Sequence, residues 1–513
     1  MDTKEFSKEQ IDPEASKTEI IESTSAPEPV SWSDQFKAIY KHRRALLAAF
    51  GCSTTPILIG YDLTLIGSII ANSEFVEKFG VYDAGTASWT LPANRQLAWT
   101  LVQYVSAMAA AIASGYLNDT FGRRICFFIT ILLAVSGTFV ELFSPNWKVW
   151  ILAKLLMGAT MGSMQGNTQT YVSEITPVAV RGFALSLFQF WIILGQLIAS
   201  CVLQGTSKVA NTWSWKGAVV SQFGPALFCV VMYIPFVPES PYFLIAKDRI
   251  EDARNAISKL RAGEEDFNVD DEVTVLVETL QHERQAKQSS PSFIECFQKT
   301  DLRRTLLACL PVVMQIFMGY PLCGNYLAYF LKLAGVDDAF LVTVISVVCS
   351  LVAAFAAFIF IEKVGRRPQL LVGIGGMLPS LLIVGLLGFF GTGEEWNYRA
   401  LSAFCIIWAV FYYASVGAVG WAIVGEISSS RLRAKTTSIA ALSSSLFNMV
   451  WSIAIPYMVN QENADLGAKT GLIFFGFGII FSGAVFFCMP ETKGRSYFQL
   501  DAMFEARVSA RKF

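Results

Sequence analysis

Uncharged apolar runs as long as a bilayer is thick recur along this chain, and nothing else constrains its fold as strongly. LAWTLVQYVSAMAAAIAS (97–114) and GLIFFGFGIIFSGAVFFC (471–488) each carry eighteen residues without a charge. A helix crosses hydrocarbon with about 20 predominantly apolar residues, and such blocks follow neither a period of two nor one of 3.6. Composition agrees. The 513 residues are 53% hydrophobic and 16% charged, against about 25% charge in soluble domains. The chain reads as an all-α, polytopic membrane protein.

By the same criterion there are twelve spans, numbered here span 1 to span 12: near 47–71, 97–117, 124–143, 148–169, 184–204 and 215–237, then 304–330, 338–361, 369–390, 401–425, 434–459 and 467–488. Basic residues sort by side. Lys37, Lys41, Arg43, Arg44, Arg123, Arg124, Arg181, Arg366, Arg367, Arg431, Arg433 and Lys435 fall on one face, while the opposite loops hold scattered Lys78, Arg95, Lys148, Lys208, Lys332, Arg399 and Lys469. The positive-inside rule makes the first face cytoplasmic and puts both termini and the polar segment 238–302 inside. Five regions follow: a disordered N-terminus (1–45), a six-helix half (46–237), a linker with short helices (238–302), a second half (303–489) and a tail (490–513). The first 30 residues are polar and acidic and lack the early apolar core of a signal peptide. The 10 Cys are dispersed without a C-x-x-C pair, and the two His, His42 and His282, lie in polar segments. No disulfide framework, metal site or histidine proton relay is indicated. Asn118-Asp-Thr is a glycosylation sequon on the face read as cytoplasmic, where it is not expected to be modified.

Within this pattern a charged knot appears twice. GYLNDTFGRR places Asp119, Gly122, Arg123 and Arg124 after span 2, and FIEKVGRR places Glu362, Gly365, Arg366 and Arg367 after span 8. Acids and arginines recur at matching helix ends: Glu174 and Arg181 after span 4, Glu426 and Arg433 after span 10, Glu239 after span 6 and Glu491 after span 12. Related segments in two repeated halves explain the spacing. Topogenic charge and turn chemistry are one reading of the content. The other is a salt-bridge latch that holds the halves together on the cytoplasmic face and breaks when they rock.

GYLNDTFGRR, YVSEITPVAVRG, PESPYFL, EKVGRR, IVGEISSSRLRAK and PETKGR together resemble the sugar porters of the major facilitator superfamily, over residues 45 to 500. STTPILIGYDLTLIGS, WIILGQLIASCVLQG and PLCGNYLAYFLKLAGV look most like the fungal α-glucoside (maltose-type) proton symporters. The resemblance implies the major facilitator fold, twelve transmembrane helices in two pseudo-symmetric halves of six. It also implies a monomeric plasma-membrane carrier of a sugar and protons, embedded in the bilayer, with the proton gradient as driving force and no cofactor. It implies neither enzymatic activity nor nucleic-acid binding.

Asp62 lies within the apolar IGYDLTLIGS of span 1. A carboxylate there is costly and functional by default, unless it is held protonated or bonded to backbone for structural reasons. By resemblance Asp62 takes up the coupling proton and pairs with a base in span 4, where this chain has Lys154. Lys154 can instead extend to the interface. Gln189 and Gln196 stand two helical turns apart on span 5, either as glue between helices or, by resemblance, lining a sugar cavity. On span 7 Gln315 and Gly319 of the hexose signature are kept, Ile316 and Pro321 replace its second Gln and its Asn, and Asn325 and Tyr326 stand in as alternatives. Trp421 of span 10 matches a sugar-stacking tryptophan, and Asn448 of span 11 matches a cavity amide. Tyr413, Ser444 and Ser445 depart from the hexose pattern, which points to a larger glucoside or a cargo other than sugar. The main alternative is a carrier on the same scaffold that exports a fungal metabolite. A carrier without proton coupling and a sugar sensor are weaker readings, the first opposed by Asp62 and the second by the short tail after span 12.

Overall fold

The computed structural model describes residues 40–83, 88–262, 264, 267–286, 293–390, 394–428, 432–459, 464–493, 500, 503–506 and 508–510. Helices occupy all twelve expected positions. In the first half, span 1 is Arg43–Ser53 with Pro56–Ile69, span 2 Ala93–Phe121, span 3 Arg123–Leu142, span 4 Trp147–Ile175, span 5 Val178–Thr206, and span 6 Trp213–Val220 with Phe223–Phe236. In the second half, span 7 runs as Lys299–Phe317, a wide π turn at Pro321–Asn325, and Leu327–Leu333. Span 8 is Ala339–Val364, span 9 Arg366–Leu387, span 10 Glu395–Ala414 with Val416–Ile427, span 11 Arg433–Val459 and span 12 Thr470–Cys488. Of the N-terminal segment expected to be disordered (1–45), residues 1–39 lie outside the described residues, whereas residues from Arg43 already belong to the first helix of span 1.

Ten of these segments are long and apolar enough to cross a membrane by length and composition alone. The exceptions are spans 4 and 7, for different reasons. Span 4 is too polar, with Lys154, Thr160, Ser163, Gln165 and Asn167 in its middle. Span 7 is interrupted at Gly319, whose φ of +95° no β-carbon favours. Span 10 breaks at Ser415 (φ −134°, ψ −93°) with neither Pro nor Gly at the break. A feature with no counterpart in the sequence reading is a short hairpin between spans 1 and 2, pairing Val81–Asp83 with Ser88–Thr90.

Each half is a bundle: span 2 packs on span 4, span 1 on span 5 and span 3 on span 4, while in the second half span 10 packs on spans 8 and 9, span 9 on span 12 and span 7 on span 11. The halves meet through span 5 on span 8, span 2 on span 11, and span 1 on the Leu327–Leu333 part of span 7. In the linker, Ile250–Arg261 buries Ala253, Ala256, Ile257 and Leu260 along one face and joins Phe243, Leu244 and Leu280 in a small apolar cluster. His42, before span 1, is tied to this linker at 2.7 Å from Glu264.

The approach of span 4 to span 2 sets the geometry of the polar interior. A β-carbon on Gly158 would lie 2.2 Å from the Gln103 carbonyl oxygen, and one on Gly162 2.0 Å from that of Ala107. Small residues four apart let two backbones close, as in other membrane helix pairs. Gly158→Val is therefore expected to cost about 1–3 kcal/mol by overpacking. A melting temperature in detergent equal to that of the parent protein would show that the backbones are not this close.

Candidate functional site

Asp62, Gln103, Glu141, Lys154 and Gln222 converge in the first half, each no more than 4% exposed. Lys154 Nζ lies 2.5 Å from Glu141 Oε1 and 3.3 Å from Asp62 Oδ1. The remaining carboxylate oxygens are also satisfied: Gln103 Nε2 donates to Asp62 Oδ2 at 2.7 Å, and Gln222 Nε2 donates to Glu141 Oε2 at 2.9 Å. The Trp150 ring lies 5.3 Å from the ammonium. Lys154 thus does not extend to the interface but is spent on two acids. Glu141 was not singled out by the sequence reading, although an acid inside span 3 carries the same signal as Asp62. Two small cavities, each of about 20 Å³, reach this cluster, one touching Lys154 and Tyr326 and the other Gln103, Asn325 and Tyr326. Each has room for about one water.

The candidate cavity residues fall into two groups. Gln196 is buried and accepts a hydrogen bond from Tyr413 Oη at 3.1 Å, across the two halves. Gln315 Nε2 donates to the Val416 carbonyl at 2.8 Å, bracing the break in span 10. Tyr326 donates to the Ser452 carbonyl at 3.4 Å. Against these engaged groups, the amide oxygens of Asn325 and Asn448 are buried and have no hydrogen-bond partner among the described residues. Gln189 and Trp421 are half-buried, and Trp421 packs against Val312, Val424 and Ala440. Around Tyr413 the second half builds an aromatic stack: Tyr412 lies 5.1 Å from Tyr320 and 5.0 Å from Trp408, both near parallel. FYYA in span 10 was the available signal for it.

The charged knots form the same structure twice. Arg123 Nη2 lies 2.7 Å from Glu174 Oε1, with Asp119 at 3.5 Å, and Ser240 Oγ donates to Glu174 Oε2 at 2.5 Å. In the second half Arg366 Nη2 lies 2.8 Å from Glu426 Oε1, and Thr492 Oγ1 donates to Glu426 Oε2 at 2.5 Å. Glu239 accepts from the backbone N–H of Arg123 (3.0 Å) and Arg124 (3.3 Å), and Glu491 from those of Arg366 (3.0 Å) and Arg367 (3.1 Å). Each acid caps the start of a helix, where orphan N–H groups and the helix dipole favour negative charge. Gly122 and Gly365 adopt φ of +92° and +101° and leave room for these carboxylates, which a β-carbon would meet at 2.7 and 2.8 Å. The side chains of Arg181, Glu362 and Arg433 lie outside the described residues.

The described ion pairs of Arg123 with Asp119 and Glu174, and of Arg366 with Glu426, each lie within one half. A latch from half to half would fall to the other charged residues at these helix ends, among them Arg181, Glu362 and Arg433, whose side chains lie outside the described residues.

Two bundles of six helices, several broken near mid-length around a buried ion cluster, define a membrane carrier of the major facilitator fold. The profile of the family described as Sugar (and other) transporter matches residues 48–504. The chain belongs to this family, and is a multi-pass membrane protein of sugar-transporter type. It is 30% identical over 494 residues to the general alpha-glucoside permease of Saccharomyces cerevisiae, covering 93% of this chain and 78% of the permease. It is 28% identical over 468 residues to the major facilitator-type transporter ecdD of Aspergillus rugulosus, covering 89% and 86%. Among solved structures, the partially occluded inward-open xylose transporter XylE of E. coli superposes with a TM-score of 0.70 at 21% identity, covering 88% of this chain and all (100%) of that one.

If the knots are independent, Glu239→Ala and Glu491→Ala are each destabilising and their effects add to within about 0.5 kcal/mol. A coupling well above that in a double-mutant cycle of thermal stability would show a latch between halves.

Proposed function

We infer that the protein imports a sugar together with a proton by alternating access, and that its sugar is a glucoside larger than a hexose. Asp62 carries this reading: a buried carboxylate shares an ammonium that a second carboxylate already holds. Two acids on one base leave a negative charge in an apolar interior unless a proton arrives. The water-sized cavities beside Lys154 and Gln103 supply room for its passage. Asn325 and Asn448 offer acceptors for sugar hydroxyls, and Trp421 an apolar face for the ring. Similarity to an alpha-glucoside permease favours the same class of cargo. The distribution of basic residues favours both termini inside, the family resemblance favours the plasma membrane, and the chemistry needs no cofactor.

A second reading keeps the carrier and changes the cargo. The aromatic stack around Tyr412 and the Ile316 and Pro321 departures on span 7 favour a small molecule that is not a sugar, in this reading moved outward.

Uptake of labelled glucose, maltose and a longer glucoside into cells lacking their own carriers separates the two. Maltose or glucoside uptake is expected to fall at least tenfold with a protonophore and equally with Asp62→Asn. Uptake that survives both treatments would mean proton-independent transport. Absence of any sugar uptake from protein at the cell surface would leave the second reading.

A further inference from the structure

The ion cluster contains more acid than a single Asp–Lys pair requires, and the two acids are not equivalent. Glu141 is fully buried (0% exposed), lies 2.5 Å from the ammonium and is braced from behind by Gln222. Asp62 stands at 3.3 Å, on the side where Gln103, Asn325 and Tyr326 border a cavity. With both acids ionised the cluster carries a formal charge of −1; with one proton bound it is neutral. Burying an uncompensated charge is costly, and of two acids competing for one cation the one held less closely protonates first.

We propose that Glu141 is the fixed counter-ion of Lys154 and, by occupying the ammonium, makes Asp62 the surplus carboxylate that binds the transported proton. Glu141 is thus a positioning residue that acts on Asp62 through Lys154. The inference rests on the proton-coupled reading above and deepens it. The step balances: one proton from solvent adds to an Asp62 carboxylate oxygen, the Asp62–Lys154 ion pair is lost, the Glu141–Lys154 pair stays, and release of the proton restores the first state. No covalent bond other than O–H forms or breaks.

The groups that face the cluster do not supply another proton site in the same range. Tyr61 on span 1 is bonded to the Ala218 carbonyl and to Ser221. Tyr104 on span 2 lies within electrostatic reach of Asp62, and Tyr326 on span 7 within reach of Lys154. Phenols titrate near 10, above the pH at which cells take up sugars. Span 6 presents the uncharged Ser221 and Gln222, and its Lys216 lies over the Trp215 ring at 5.7 Å. Span 11 presents Ser452.

Difference infrared spectroscopy of the purified full-length protein, titrated with acid, tests this without a substrate. The parent protein is expected to show a protonated-carboxyl band that Asp62→Asn removes. In Glu141→Gln the pH at which that band reaches half intensity is expected to move at least about one unit toward acid, a tenfold change in proton concentration, because a like charge is gone and Lys154 turns wholly to Asp62. Gln222→Met, which leaves Glu141 in place but unbraced, is expected to move it the same way by less, and covers the case in which Glu141→Gln does not fold. A half-intensity pH unmoved in both variants would overturn the inference, since a purely structural Glu141 alters stability and not the titration of Asp62. So would a band that survives Asp62→Asn and disappears in Glu141→Gln, which would reverse the two roles. These outcomes are separate from the uptake experiment: symport fails on protonophore-insensitive uptake, whereas the role of Glu141 fails on the spectrum.

Discussion

The ammonium of Lys154 is the point on which the first half is organised. Asp62 reaches it from span 1 and Glu141 from span 3, while Gln103 of span 2 and Gln222 of span 6 hold the far oxygens of the two acids. Five helices therefore converge on one buried cation. Taking a single ion out of water costs several kcal/mol even after relaxation, so Lys154 persists at this depth only because its partners surround it. The glycines of span 4 make this possible, since any larger residue at Gly158 would push span 2 and its Gln103 away. The buried cation of the second half, Arg304, lies near the start of span 7 and donates to the Ile427 carbonyl, and no counterpart of Lys154 stands in the middle of its described spans. In its place stand amides and an aromatic stack of Trp408, Tyr412 and Tyr320.

The shared plan is clearest where it has no bearing on cargo. Glu174 and Ser240 are 66 residues apart, and so are Glu426 and Thr492; each pair makes the same hydroxyl-to-carboxylate bond. Glu239 and Glu491 each cap the third helix of their half, and each needs a glycine of positive φ beneath it. A carboxylate there answers two demands at once, the orphan N–H groups of a helix start and the arginines that follow. That double use accounts for the recurrence of Gly-Arg-Arg better than a requirement for positive charge alone.

The spans and the repeat were legible in the sequence because hydropathy and recurrence are local properties. What remained hidden depends on which neighbour a side chain meets. An arginine at a helix end reads alike whether it reaches across the molecule or back to its own bundle, and Arg123 turns back. Glu141 carries the signal of an acid inside an apolar span, but only its meeting with Lys154 reveals its partner. Gln196 reads equally as glue or as a ligand-binding amide, and Tyr413 occupies its oxygen here. The break at Ser415 falls two residues before Gly417, a residue that loosens a helix, but its bracing by Gln315 from another span is not legible locally.

These contacts differ in strength in a way that bears on movement. Within each half, buried or half-buried ion pairs bind the helix ends, and breaking one partner of a buried pair costs about 3–5 kcal/mol. Between the halves, the polar links among described residues include Gln196 with Tyr413 and Gln204 with Asp338. These are single hydrogen bonds of about 1 kcal/mol net, one of them to an exposed carboxylate that water can replace. In polar links alone, the boundary along spans 2, 5, 8 and 11 is held less tightly than the helix ends within either half. The Tyr413–Gln196 bond crosses that boundary, so any separation of the halves there must break it.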